Sequence, residues 1–303
     1  MHKQQKPLPH DHGRQTGIMI VGTGAVGTTL ALSLQAKDYT ISAIASRSKA
    51  RAQQLATHVG APAAVALSSL DPAQAQLIFL CVPDDVLPEI ADKLANHTQW
   101  AGRIVAHTSG AQTASILLPL QKAGAYAMSF HPVQTFVKPS KNAFSGIYVG
   151  IEGDEPAVSE GIVLAQALDA TPLVLQAADK ARYHLAASIA SNFTVTLVSA
   201  ACDVLESIGM QRDEAVALLR PLVMQTCTNV TTRLPEEVLT GPAARGDKNT
   251  LQQHLDALEN HQPHLLPLYR ALLAQTVELA KRGATSPDAK KQLDEMHSSL
   301  QPE

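Results

Sequence analysis

The 303-residue sequence predicts an α/β domain built on a doubly wound parallel sheet, followed by an all-α domain. Three observations carry this prediction. Short apolar runs alternate with helical-period segments from Gly17 to about Leu175; a glycine-rich bend joins the first run to the first such segment; and beyond Ala177 only helical periodicity remains. The expected strands, in order, are GIMIV (17–21), YTISAIA (39–45), AAVAL (63–67), LIFLCV (77–82), RIVAHT (103–108), AYAMSF (125–130), GIYVGIE (146–152) and PLVL (172–175). Helices are expected between them at 26–35, 49–59, 85–97, 113–122 and 156–168. The second half reads as helices at 179–208, 213–232, 250–260, 264–281 and 288–299. The expected division is a disordered tail over 1–15, a nucleotide-binding domain over 16–177 and a helical domain over 178–303.

Composition narrows the partners. With 45% hydrophobic residues each half can fill a core, and a formal net charge of −3 leaves no basic footprint for nucleic acid or an anionic membrane. A small-molecule partner is expected. Cys81, Cys202 and Cys227 lie far apart in apolar runs and read as small buried hydrophobes, which fits a reducing cytoplasm. The first fifteen residues lack the apolar centre of a signal peptide, and no later run reaches the ~18 uninterrupted apolar residues of a membrane span. A cytoplasmic protein is expected. His10 and His12 are read as part of a solvated polar tail, and no metal site is expected.

The first strand runs into GTGAVG, with Gly22, Gly24 and Gly27 in the G-x-G-x-x-G spacing and TTLALSLQ following as a helix. Gly22 permits the tight turn, Gly24 lets backbone approach a pyrophosphate, and Gly27 lets helix pack on strand. The backbone of Thr23, Ala25 and Val26 joins them at a helix end whose amides and dipole attract phosphate. Strand before and helix after supply the context that the motif needs to mean dinucleotide binding. About 20 residues on, where an NAD site places a carboxylate, the chain has ASRSKAR. Ser46, Arg47, Ser48 and Lys49 offer donors and positive charge to a 2′-phosphate, so NADP (NADPH) is the expected cofactor. Two further strand ends share the carboxyl edge where ligands of open α/β sheets lie. CVPDD turns through Pro83 into a helix capped by Asp84, and HTSGA ends in small residues, making Cys81, Val82, Pro83, Thr108 and Ser109 cofactor-contact candidates.

A nicotinamide coenzyme carries the hydride, so the protein has to bind the substrate and manage one proton. SFHPVQTF places His131 just after a strand, and DKARYHLAASIASNF opens the helical half. At about 100° per residue Lys180, His184, Ala187 and Ser191 share a face, with Asn192 on its flank and Tyr183 read as packing. Lys180 would donate a proton or hold a carboxylate, with His184 and His131 as further catalytic candidates.

GTGAVG, CVPDD, HTSG, SFHPVQTF, KARYHLAASIASN and LTGPAARGD together resemble the short two-domain Rossmann-type oxidoreductases whose C-terminal half is a domain of unknown function. These are similar in build to pyrroline-5-carboxylate reductase, ketopantoate reductase and the beta-hydroxyacid dehydrogenases. The resemblance covers about Gly17 to Lys281 and implies a helical domain that pairs two subunits as a homodimer. In the wider group a lysine is followed one turn later by an asparagine; here Lys180 matches the lysine and His184 replaces the asparagine. In the reductase relatives a Gly-Pro segment approaches the partner's active site, and Gly241 and Pro242 resemble it. On that analogy Arg245 reaches an anionic group and Asp247 orients it or caps the next helix, so Asn192, Arg245 and Asp247 are the substrate-binding candidates. The expected function is NADP-dependent oxidoreduction of a small ketone, imine or hydroxy acid, with an active site between the two domains. The alternative is a non-catalytic NADP-binding sensor or scaffold dimer.

Overall fold

In the computed structural model, residues 17–97 and 100–300 are described; the expectations for the tail, His10 and His12 included, lie outside them. Eight short apolar runs form one sheet in the order β3-β2-β1-β4-β5-β6-β7-β8. The strands are β1 (Ile18–Val21), β2 (Ile41–Ser46), β3 (Ala63–Ala66), β4 (Leu77–Leu80), β5 (Ile104–His107), β6 (Tyr126–Pro132), β7 (Tyr148–Gly153) and β8 (Thr171–Val174). Strands β1 to β6 pair in parallel, as do β7 and β8. The β6–β7 pair is antiparallel, a departure from the wholly parallel sheet expected. No helix connects β6 to β7, and without that crossover β7 has to run back along its neighbour.

Helices α1 (Ala25–Gln35), α2 (Lys49–Val59), α3 (Leu87–Ala95), α4 (Leu118–Lys122) and α5 (Glu155–Ala167) accompany the sheet. Two apolar cores result, one around Ile20, Leu30, Phe79 and Phe130 and the other around Met19, Ile78, Leu87 and Trp100. Side chains alternate along β1 between them, since Ile18 and Ile20 belong to the first and Met19 and Val21 to the second. The chain divides into two compact units, residues 1–189 and 190–303. The helix α6 (Lys180–Ala190) therefore counts almost wholly with the sheet.

The second unit contains α7 (Asn192–Glu206), α8 (Arg212–Thr232), α9 (Lys248–His261), α10 (Leu266–Gly283) and α11 (Pro287–Ser299). The single helix expected over 179–208 is interrupted at Ser191, whose φ −108° and ψ −73° stay in the right-handed region but depart from ideal helix values. The core of this unit comes from Ala243, Leu251, Leu255, Leu273, Val277, Leu293 and Met296. By contrast α7 buries only Cys202 and α8 only Ala215, while Phe193, Val195, Leu218, Leu222 and Met224 are exposed. Cys227 is exposed as well, contrary to the expectation of a buried hydrophobe, because it lies on this uncovered α8. The stretch 177–206 is long and apolar enough to cross a membrane by length and composition, an 18-residue window in it having a mean hydropathy of 1.5, although polar residues interrupt it.

Candidate active site

Backbone geometry at the first bend matches the three tasks expected of its glycines. Gly22 has φ +110°, and a Cβ there would stand 2.1 Å from the Cys81 carbonyl oxygen. A Cβ on Gly27 would lie 2.1 Å from the Gly22 carbonyl oxygen, so only glycine lets α1 start this close to β1. At Gly24 the space is open, and this residue caps α1 without any side-chain hydrogen bond. The first-turn amides thus face an uncluttered approach, as a phosphate requires.

Beside the bend lies a cleft of about 560 Å³, lined among others by Gly22, Thr23, Gly24, Ser46, Arg47, Ser48, Arg51, Cys81, Val82 and Pro83. Nine of the positions expected at the cofactor line this cleft, and Ala25, Val26 and Gly27 form the helix end behind it. Thr23 Oγ1 lies 3.0 Å from Ser46 Oγ, Ser46 Oγ accepts from the Ser48 amide, and Ser48 caps α2 by accepting from the Arg51 amide. The serines thus shape the turn, and Arg47 and Arg51 remain exposed to supply charge. Sequence reasoning missed Arg51; its signal was the helical i, i+4 spacing from Arg47. The donors, the open bend and the missing carboxylate at the end of β2 fit a dinucleotide carrying a 2′-phosphate. Burial pushes the Cys81 thiol up to about 12, against a hydrogen bond with Thr108, so Cys81 lines the cleft as an uncharged wall.

Toward β5 and β6 the same edge carries a polar cluster. Strands lie about 4.8 Å apart, so β6 stands about 14 Å from β1, a span suited to the far end of a dinucleotide. Ser109 donates from Oγ to Asp84 (2.7 Å) and accepts from the amides of Ala111 and Gln112. Asp84 was expected to cap the helix after β4; its carboxylate instead accepts from Ser109, and Ser109 holds the β5 loop in shape. Buried His107 completes that loop: its Nδ1 accepts from the Ser109 amide, which leaves Nε2 to donate to the Thr113 carbonyl at 3.1 Å. Burial first, then the Lys180 charge, pushes His107 down to about 4.

Lys180 is 1% exposed and donates to the Ser109 carbonyl (3.1 Å) and to Ser129 Oγ. Burial lowers it to about 8, while Glu152 and Asp84 pull the other way. Glu152 itself accepts from the Ala114 amide at 2.9 Å. In this arrangement Lys180 ties α6 to the ends of β5 and β6.

One turn along α6, His184 lies against the same loop. A Cβ built on Gly110 would stand 2.4 Å from His184 Nδ1 and 2.8 Å from His131 Nε2, and the two imidazoles meet edge to face with centroids 5.9 Å apart. His184 Nδ1 is buried with no hydrogen-bond partner. Tyr183, expected to be packing, instead places its hydroxyl 2.8 Å from His131 Nδ1. Room for it comes from Gly150, whose Cβ would stand 2.5 Å from Tyr183 Oη. Burial, and then the charges of Lys180 and His184, push His131 down to about 4; burial pushes Tyr183 up to about 12. Lys180, His184 and His131 are thus brought together, with Tyr183, Gly110 and Gly150 as the members that sequence reasoning missed.

In the second unit Asn192 is exposed at the start of α7. The segment after Gly241 folds as a one-turn helix, Pro242–Arg245, bracketed by Gly241 at φ +99° and Gly246 at φ +69°. Asp247 caps α9, accepting from the Thr250 amide (3.1 Å) and hydroxyl (2.7 Å), and these bonds hold its carboxyl below the usual range. Arg245 stays exposed on the rim of a 300 Å³ cleft with Gly246, Gly283 and Gln292.

Comparison with known proteins agrees with this architecture. Residues 10–132 match the profile of a Rossmann-like domain, and residues 147–276 match a domain of unknown function, DUF2520. No curated protein matches the sequence. Among solved structures, protein TM1727 from Thermotoga maritima is 28% identical with a TM-score of 0.71, over 88% of this chain and 98% of its own. A protein assigned as an NADP oxidoreductase, BF3122 from Bacteroides fragilis, is 25% identical with a TM-score of 0.73, over 87% and 98%. A reductive aminase from Aspergillus terreus, solved with NADPH and ethyl-5-oxohexanoate, shares the fold at 18% identity and a TM-score of 0.64, over 92% and 99%. The chain thus joins a Rossmann-like segment to one that matches the DUF2520 domain, the two-part build that its motifs resemble.

Proposed function

We propose that the protein is an NADP-dependent oxidoreductase acting on a small ketone, imine or hydroxy acid. One observation carries this reading: an open glycine bend at the head of α1 shares its cleft with two exposed arginines. The neighbour assigned as an NADP oxidoreductase, at 25% identity, supports it. When bound, the coenzyme supplies or accepts the hydride. The chain holds its phosphates on the α1 amides and its 2′-phosphate on Arg47 and Arg51. His131 and His184 handle the proton, and Lys180 positions the β5 loop against them. Asn192 and Arg245 are the substrate contacts offered by the helical unit, whereas Asp247 is occupied as a helix cap. The helical unit pairs two copies of the chain, which covers the apolar surfaces of α7 and α8.

Titration of NADPH and NADH against the protein, followed by calorimetry, tests the cofactor assignment. Arg47→Ala and Arg51→Ala are each expected to weaken NADPH about ten- to a hundredfold, the worth of a charge-assisted contact, and to leave NADH nearly unchanged. Equal losses for both coenzymes would remove the 2′-phosphate assignment, and no saturable binding of either would remove the function.

A further inference from the structure

We infer that Tyr183 and His131 act as a proton-donating pair, with Tyr183 fixing the His131 tautomer that carries its proton on Nε2, and that the pair serves the oxygen of a carbonyl or alcohol substrate. This rests on the oxidoreductase reading above and narrows its substrate class, setting the imine aside.

The tautomer follows from the hydrogen bonds. The Tyr183 hydroxyl lies 2.8 Å from His131 Nδ1 and 3.5 Å from the His131 carbonyl oxygen, so the ring nitrogen is its better acceptor. The rings meet edge to face at 89°, with centroids 5.5 Å apart, which holds the hydroxyl in register. Tyr183 keeps its proton at neutral pH because it is buried, and His131 stays neutral because it is buried beside Lys180 and His184. A neutral imidazole carries one N–H, so a proton accepted at Nδ1 leaves the ring's own on Nε2. His131 is partly exposed, at the end of β6 two residues beyond the last register pair with β5. His107, buried in the neighbouring strand, is also neutral, but both its nitrogens are committed to backbone.

The Nε2–H donor decides between oxygen and nitrogen. The side chains that act on His131 are Lys180 and His184. The carboxylates of the cluster, Glu152 and Asp84, accept from the Ala114 amide and the Ser109 hydroxyl and keep their charge, which acts on Lys180. A protonated imine nitrogen has no lone pair to accept the Nε2–H, whereas a carbonyl oxygen accepts it and gains negative charge as it is reduced. In that reduction, hydride from a dihydronicotinamide forms the new C–H bond, and the C=O π pair moves to oxygen. The oxygen takes the Nε2 proton, Nδ1 takes the Tyr183 proton, and the phenolate recovers a proton from water. The transfer runs downhill because an alkoxide is a much stronger base than a phenolate.

The test uses the full-length protein labelled with ¹⁵N-histidine. Long-range ¹⁵N–¹H spectra of the NADP⁺ complex are expected to show His131 as the Nε2–H tautomer. Tyr183→Phe is expected to shift it toward a mixture, with melting temperature and NADPH affinity kept and turnover lowered about a hundredfold. His131→Asn, which keeps a hydrogen-bonding side chain of similar reach, should lower turnover at least as much. In an NADPH-oxidation assay, a panel of small ketones, aldehydes and keto acids is expected to be reduced in preference to cyclic imines. An Nδ1–H tautomer in the parent, an unchanged tautomer in Tyr183→Phe, or reduction confined to imines overturns the inference while NADPH still binds. So does failure to reduce any member of the carbonyl panel. Loss of NADPH binding by the parent overturns the underlying oxidoreductase reading instead.

Discussion

Gly110 has no side chain because two imidazoles already occupy the place one would take. Replacing it with alanine has to push His131 or His184 aside, and overpacking of this kind costs about 1–3 kcal/mol. Gly110→Ala is therefore expected to lower stability in urea and to cut turnover together, whereas Gly24→Ala, where a Cβ meets nothing, should leave stability unchanged and weaken only the coenzyme. Buried imidazoles also set the acid limit. His107 and His131 titrate near 4 in the folded chain against 6.5 when unfolded, so between these values the unfolded chain binds more protons. Stability consequently rises with pH across that window, is fully present above about 6.5, and is lost as pH falls toward 4, by up to about 3 kcal/mol for each ring. Urea unfolding at pH 7 and pH 5 checks this; His107→Gln should flatten the difference. Lys180 acts in another window. Its folded value of about 8 lies below 10.5, so its charge burdens the fold below pH 8 and the burden is relieved as pH rises from 8 to 10.5.

Among the elements, α6 has the largest share in the site. Three side chains within five residues, Lys180, Tyr183 and His184, fasten it to the β5 loop and to β6. Helical periodicity places Lys180 and His184 on one face, which was legible in the sequence, yet Tyr183 lies about 60° from Lys180 on the wheel and read as packing. What no periodicity announces is that Gly150, on a strand of the sheet, leaves a Cβ-sized vacancy for the phenol. The strands were legible one by one because apolar runs of four to seven residues bounded by turn residues are too short for helices. The direction of β7 was not, since antiparallel and parallel partners bury the same residues. The break at Ser191 lay beyond reach too, because a serine inside an apolar helical pattern is ordinary.

For the whole molecule, the uneven distribution of apolar surface has a consequence. Helices α9 to α11 surround a core, whereas α7 and α8 leave Phe193, Val195, Leu218, Leu222 and Met224 in water. Exposed apolar side chains on two neighbouring helices fit the pairing of two chains proposed above. Sedimentation velocity is expected to find a dimer, and Leu222→Asp should shift it toward monomer without weakening NADPH binding; a parent that sediments as a monomer at all concentrations would refute the pairing.

The sequence by itself determined the strand and helix inventory, the phosphate-binding bend and the preference for positive charge at the end of β2. These depend on periodicity and on glycines at fixed spacing, which are local properties of the chain. Tertiary structure alone decided that Lys180 is buried and tied to Ser109 and Ser129, that Asp84 and Glu152 accept from Ser109 and Ala114, and that Tyr183 bonds to His131. The physical reason is that hydrogen-bond partners and desolvation depend on atoms 20 to 71 residues apart in the chain, brought within 3.5 Å of one another only when the strand ends line up.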